Sequence, residues 1–102
     1  MEFRVLGPVE ALSGGRPLHL GGRQQHALLA FLLLHANQVV SADRLVDELW
    51  AVPPGGGVAA VRTQVSRLRK HVGDAIESSG RGYVLRVQPG ELDLERFQAL
   101  LA

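Results

Sequence analysis

Val58-Ala59-Ala60-Val61-Arg62-Thr63-Gln64-Val65-Ser66-Arg67-Leu68-Arg69-Lys70-His71-Val72 is the stretch that decides how this 102-residue chain folds. Val58, Val61, Val65, Leu68 and Val72 follow one another at steps of three and four, so they share one stripe of an α-helix. At about 100° per residue, the opposite face carries Ala59, Thr63, Ser66, Arg67 and Lys70. Arg62 and Arg69 lie on one flank, Gln64 and His71 on the other. No carboxylate occurs from Val58 through Gly73. The pattern predicts a helix with a valine seam for the core and an outward face of small, hydroxyl and cationic side chains.

Reading outward from that helix, the segments before it are short and turn-bounded. Phe3–Leu6, Val9–Leu12 and Pro17–Leu20 are separated by Gly7-Pro8 and Ser13-Gly14-Gly15, which predicts a small antiparallel meander. Arg23–His35 reads as a helix that is apolar nearly all round from Ala27 to Leu34, hence the central buried element, with Asn37 as a left-handed stop. Ser41 is placed to cap a second helix, with Asp43 in its first turn and Val40 and Leu45 positioned as a staple. That helix ends before Pro53-Pro54. On the far side, Ala75–Ser78 and Tyr83–Val87 flank Ser79-Gly80-Arg81-Gly82, a hairpin signal. The order of strands, three helices and a hairpin predicts an α+β domain of the winged helix-turn-helix kind over residues 1–90, followed in 91–102 by the start of another helix.

Composition narrows the function. The net charge is +1, but residues 51–90 hold Arg62, Arg67, Arg69, Lys70, Arg81 and Arg86 against Asp74 and Glu77 alone. Concentrated positive charge suits a phosphate-binding surface. An outward Arg can bond bidentately to guanine, and a Thr methyl can meet the methyl of thymine. Thr63, Ser66 and Arg67 are therefore assigned to base reading. Arg62, Gln64, Arg69 and Lys70 are assigned to phosphates, and Gly80, Arg81 and Gly82 to a wing that reaches the minor groove. The rival is a winged helix used for protein contact, which calls for an apolar outer face. Catalysis has no support: His19, His26, His35 and His71 are scattered, and Gly55–Gly57 lacks the Lys-Ser or Lys-Thr of a phosphate loop. With no cysteine, disulfides and thiolate metal sites are excluded. No cofactor or metal is expected. The apolar run Ala27–Leu34 is too short for a membrane span, and Met1-Glu2-Phe3-Arg4 does not open like a signal peptide, so a cytoplasmic, nucleoid-associated domain is expected.

Several segments in this order resemble the DNA-binding domain of the Streptomyces antibiotic regulatory proteins, of the OmpR/PhoB-type winged-helix class. They are Phe3-Arg4-Val5-Leu6-Gly7-Pro8, Ala27 through Asn37, Val39-Val40-Ser41, Asp43 through Asp47, Leu49-Trp50, Val65 through Lys70, and Gly82-Tyr83. The resemblance implies a transcriptional regulator, typically an activator of antibiotic or secondary-metabolite genes, that binds direct repeats near promoters as a head-to-tail pair. It also implies that the loop with Trp50, Pro53, Pro54 and Gly55 faces RNA polymerase, and that Leu92 to Phe97 opens a helical transcriptional activation domain. The chain departs from the family pattern at three places. Gln24, Gln25 and His26 stand where basic residues are usual, and Ser79 where the wing commonly has Arg. The polymerase-facing loop lacks its usual acids.

Overall fold

The computed structural model describes residues 2–6, 9–18, 22–50 and 57–94. Strands β1 (Glu2–Arg4), β2 (Glu10–Ser13) and β3 (Arg16–Pro17) form an antiparallel meander in chain order, with Phe3 opposite Ala11 and Leu12 opposite Pro17. Helix α1 (Arg23–Leu34), strand β4 (Val40–Ser41) and helices α2 (Ala42–Leu49) and α3 (Val58–Val72) follow. A 3-10 turn (Gly73–Ala75) then leads into the hairpin of β5 (Ile76–Ser79) and β6 (Gly82–Leu85). The meander, the helix order and the hairpin agree with the sequence-based reading; α3 keeps its expected bounds, and other boundaries shift by up to three residues.

The core lies among the three helices. Leu28, Leu29, Leu32 and Leu33 of α1 are buried, and so are Leu45 of α2 and Val61, Val65, Leu68 and Val72 of α3. Each such side chain contributes roughly 1.5–3 kcal/mol on leaving water. Phe3, Tyr83 and Leu85 close this cluster from the two sheets, with Val87 from the segment after β6. Val58 departs from the expected seam: at the first position of α3 it stays 38% exposed, beside the hairpin rather than under α1.

The second sheet has a strand that the sequence pattern does not announce. Its order is β4-β6-β5, so the two residues before α2 pair with the inner strand of the hairpin, Val40 opposite Tyr83 and Ser41 opposite Gly82. Two residues are too few for alternation to register. Ser41 still performs the expected cap: its Oγ accepts from the Arg44 N–H at 3.1 Å.

Polar tethers hold the periphery to this frame. Asn37 adopts the expected left-handed conformation, φ 64°. Its side chain also does something unforeseen. Its Nδ2 donates to the Val87 carbonyl at 3.1 Å, and its Oδ1 accepts from the Val87 N–H at 2.9 Å. Farther along the chain, the Asp93 carboxylate accepts from the N–H groups of Val5 and Leu6 at 2.9 and 3.2 Å. Leu92 is buried and bridges to Phe3. Residues 91–94 thus pack on the winged-helix body, while the rest of the tail lies outside the described residues. No helix among the described residues is long and apolar enough to cross a membrane.

Asn37→Ala removes both bonds to Val87 and places a Cβ-bearing residue without local compensation in a left-handed conformation. The expected cost is about 2 kcal/mol, read as a fall of roughly 10 °C in Tm. Asn37→Gly, which accepts the backbone but still loses the bonds, should fall between the variant and the parent.

Candidate nucleic-acid interface

Burying Val61, Val65, Leu68 and Val72 turns the other side of α3 to solvent. Ala59, Arg62, Thr63, Ser66, Arg67 and Lys70 are all exposed. The Thr63 hydroxyl donates to the Ala59 carbonyl one turn back, at 3.1 Å, so its methyl is the group left without a polar partner. Arg69, Lys70 and His71 fall in the last turn, where cations suit the helix dipole, and Gly73 ends the helix at φ 63°.

Two clefts flank this face. One, of about 470 Å³, runs between the start of α1 and the second half of α3 and is lined by Gly22, Arg23, Gln24, Gln25, Gln64, Arg67, Lys70 and His71. It contains no carboxylate. Gly22 caps α1 without a side chain, and its carbonyl accepts from the Gln25 and His26 N–H groups at 3.1 and 3.2 Å. The other cleft, of about 510 Å³, lies between the N-terminal ends of α2 and α3 and the hairpin tip, with Arg62 and Arg81 facing a single acid, Asp43. The ion pairs among the described residues join Arg4 to Glu2 and Glu10, and Arg86 to Glu77, which leaves Arg62, Arg67, Lys70 and Arg81 uncompensated at bonding distance. The molecule therefore presents one cationic surface built from α3 and the hairpin tip, with an opening on each side.

The sequence-assigned residues fare differently. Thr63, Ser66, Arg67, Arg62 and Lys70 share the exposed face. Gly80 and Arg81 form the exposed turn between β5 and β6, and Gly80 supplies the positive φ of 57° that this turn needs. The Arg81 carbonyl accepts from the Ala42 N–H at 3.0 Å, which docks the tip on the start of α2. Gly82 belongs to β6 rather than the tip: it is buried, and a Cβ there would overlap the Val40 carbonyl. Its role is close approach of β4 to β6. Arg69, expected at phosphates, is turned to the hairpin instead. Its Nε donates to the Ile76 carbonyl at 3.2 Å, its Nη2 donates to Ser78 Oγ at 2.9 Å, and its guanidinium lies 6.0 Å from the Tyr83 ring centre. Gln64 is half-buried, its backbone and side-chain oxygens both accepting from Gln25 Nε2. Trp50 sits half-buried at the end of α2, whereas Pro53, Pro54 and Gly55 lie outside the described residues.

Gln25, read from sequence only as standing where a basic residue is usual, is buried, and its spacing held the signal. It precedes Leu28, Leu29, Leu32 and Leu33 on the helical repeat and so belongs to the buried stripe. Among the described residues, no cluster of three or more His, Asp or Glu side chains could hold a metal ion.

Arg69→Met keeps an apolar stem while removing the fork to the hairpin. Stability should fall by about 0.5–1.5 kcal/mol, with the salt dependence of DNA binding unchanged. A guanidinium held by phosphate would instead lower the salt slope by about one unit per contact. Melting curves and binding isotherms at several salt concentrations check both.

Residues 15–85 match the family described as "Transcriptional regulatory protein, C terminal". The chain is 47% identical to Regulatory protein AfsR of Streptomyces coelicolor over 104 residues, covering 98% of this chain and 10% of that protein. It is 39% identical to Transcriptional regulatory protein MoaR1 of Mycobacterium tuberculosis over 109 residues, covering 97% of this chain and 35% of that one. Among solved structures, Mycobacterium tuberculosis EmbR in complex with a low affinity phosphopeptide superposes with a TM-score of 0.89 at 34% identity, covering 96% of this chain and 28% of that chain. The chain thus spans about a tenth to a third of the length of these relatives. It belongs to the OmpR/PhoB-type transcriptional regulatory domain family, in the branch of the Streptomyces antibiotic regulatory proteins, as a winged-helix DNA-binding domain and not an enzyme.

Proposed function

We propose that this domain recognises specific double-stranded DNA by laying α3 in the major groove, on behalf of an activator of antibiotic or secondary-metabolite genes in the bacterial nucleoid. The observation that carries the reading is the exposed face of α3, where Arg62, Arg67 and Lys70 stand clear of any carboxylate on the helix. Arg67 lies on that face one turn beyond Thr63 and is long enough to offer a bidentate donor pair to guanine. Thr63, with its hydroxyl already bonded within the helix, offers its methyl to thymine, and Ser66 is a weaker base reader beside it. Arg62 and Lys70 neutralise flanking phosphates, Gln64 adds a neutral amide donor, and Arg81 reaches the minor groove from the tip. Arg69 supports the wing from within.

The same reading places two copies head to tail on direct repeats near a promoter, with the segment around Trp50, Pro53, Pro54 and Gly55 turned to RNA polymerase. It also has residues 91–102 lead into a following helical activation domain. These parts rest on the family likeness. Use as a protein-contact module is disfavoured by the outer face of α3, whose large apolar side chain is Val58 alone, at one end.

A mobility-shift series on promoter fragments at two salt concentrations tests the proposal. Arg67→Ala should lose about 1–3 kcal/mol with relaxed sequence preference, and Lys70→Ala should weaken all sequences evenly and reduce the salt slope by about 1. Binding that ignores salt, or a change of base preference in Lys70→Ala but not in Arg67→Ala, would overturn it.

A further inference from the structure

Gln25 is a costly residue where it stands. It is 5% exposed and is the polar side chain found in the buried set among the described residues. Its Oε1 is buried without a hydrogen-bond partner among those residues. A desolvated amide oxygen destabilises a fold, and an apolar residue of similar shape would avoid that. That oxygen therefore gives no reason for an amide at this position.

The other end of the amide supplies one. A backbone carbonyl can only accept, so the group facing the Gln64 carbonyl at 3.2 Å is the Gln25 NH2. The same NH2 also donates to Gln64 Oε1. With Oε1 so engaged, the Gln64 carboxamide has one orientation in which its own NH2 is directed away from Gln25. Gln64 lines the carboxylate-free cleft together with Arg67 and Lys70. Across 39 residues of sequence, α1 thus orients a donor on α3 at the edge of the cationic surface.

We propose that Gln25 is a positioning residue for DNA binding: from the core it holds the Gln64 carboxamide with its NH2 toward a backbone phosphate. The inference rests on the reading that α3 faces DNA. Gln25 itself touches no DNA. Its contribution is to remove the rotamer freedom that Gln64 would otherwise lose on binding, which is the benefit of preorganisation.

The test uses the chain with Gln25→Leu, Gln25→Met, Gln64→Ala and the Gln25→Leu/Gln64→Ala double variant. Relaxation of the Gln64 side-chain 15NH2 group reports the clamp without DNA, and a short mixed-sequence duplex reports phosphate binding. The expected result is a rigid Gln64 amide in the parent and a mobile one in both apolar Gln25 variants, with Tm within about 5 °C of the parent. Duplex affinity should fall roughly threefold to tenfold in both apolar Gln25 variants, the scale of immobilising one rotamer-rich side chain. Gln64→Ala should lose at least as much, because the donor itself is gone, and the double variant no more than Gln64→Ala. A Gln64 amide already mobile in the parent would overturn the proposal, as would additive losses, or a fall in Tm with unchanged affinity in both Gln25 variants. Lys70→Ala measured alongside separates the failures. If it weakens binding while Gln25→Leu does not, the positioning role alone is wrong. If it too binds as the parent does, the DNA-facing reading is wrong and the proposal goes with it.

Discussion

Four leucines of α1 and the Val61, Val65 and Leu68 seam of α3 lie in one buried cluster, and that apolar contact decides which side of α3 remains for solvent. A helix rotated by about a third of a turn would bring Arg67, or in the other sense Arg62, against the leucines, where a charge without a partner costs several kcal/mol. The orientation of the recognition surface is therefore enforced from behind. The core excludes the cations, and no carboxylate on the helix draws them back.

Around this contact, a few polar groups convert local elements into one frame. Asn37 joins the end of α1 to the strand leaving the hairpin, and Asp93 joins the tail to the first sheet. Arg69 spans from α3 to β5, and β4 threads along β6 where Gly82 leaves room for it. Each joins residues far apart in sequence or in different elements, and the Arg69 fork in particular ties α3 to the hairpin. A surface that must match a groove and its neighbouring backbone at once needs its parts held in place. Charge on the helix supplies attraction, and the tethers supply geometry.

The two buried or half-buried glutamines extend this logic to the first helix. Polar groups inside a core are tolerated when they specify an arrangement that apolar packing leaves open. Gln25 meets Gln64 where α1 and α3 flank the cationic face, so the pair records which residues of the two helices lie side by side as well as where a donor points.

Much of this was legible from residue order. The 3.6-residue repeat of valine and leucine marked α3 and its exposed face, Ser41 marked the start of α2, Asn37 the stop of α1, and the glycines around Arg81 the turn. Those features are local: each follows from the conformational preferences of a few adjacent residues. The pairing of β4 with β6, the diversion of Arg69 to the hairpin, the burial of Gly82 and the grip of Gln25 on Gln64 depended on which distant segments came to lie side by side. An Arg on a helix flank can reach phosphate or a neighbouring strand with equal ease. The choice is made by the carbonyl of Ile76 and the hydroxyl of Ser78, which arrive only once the chain has folded back on itself.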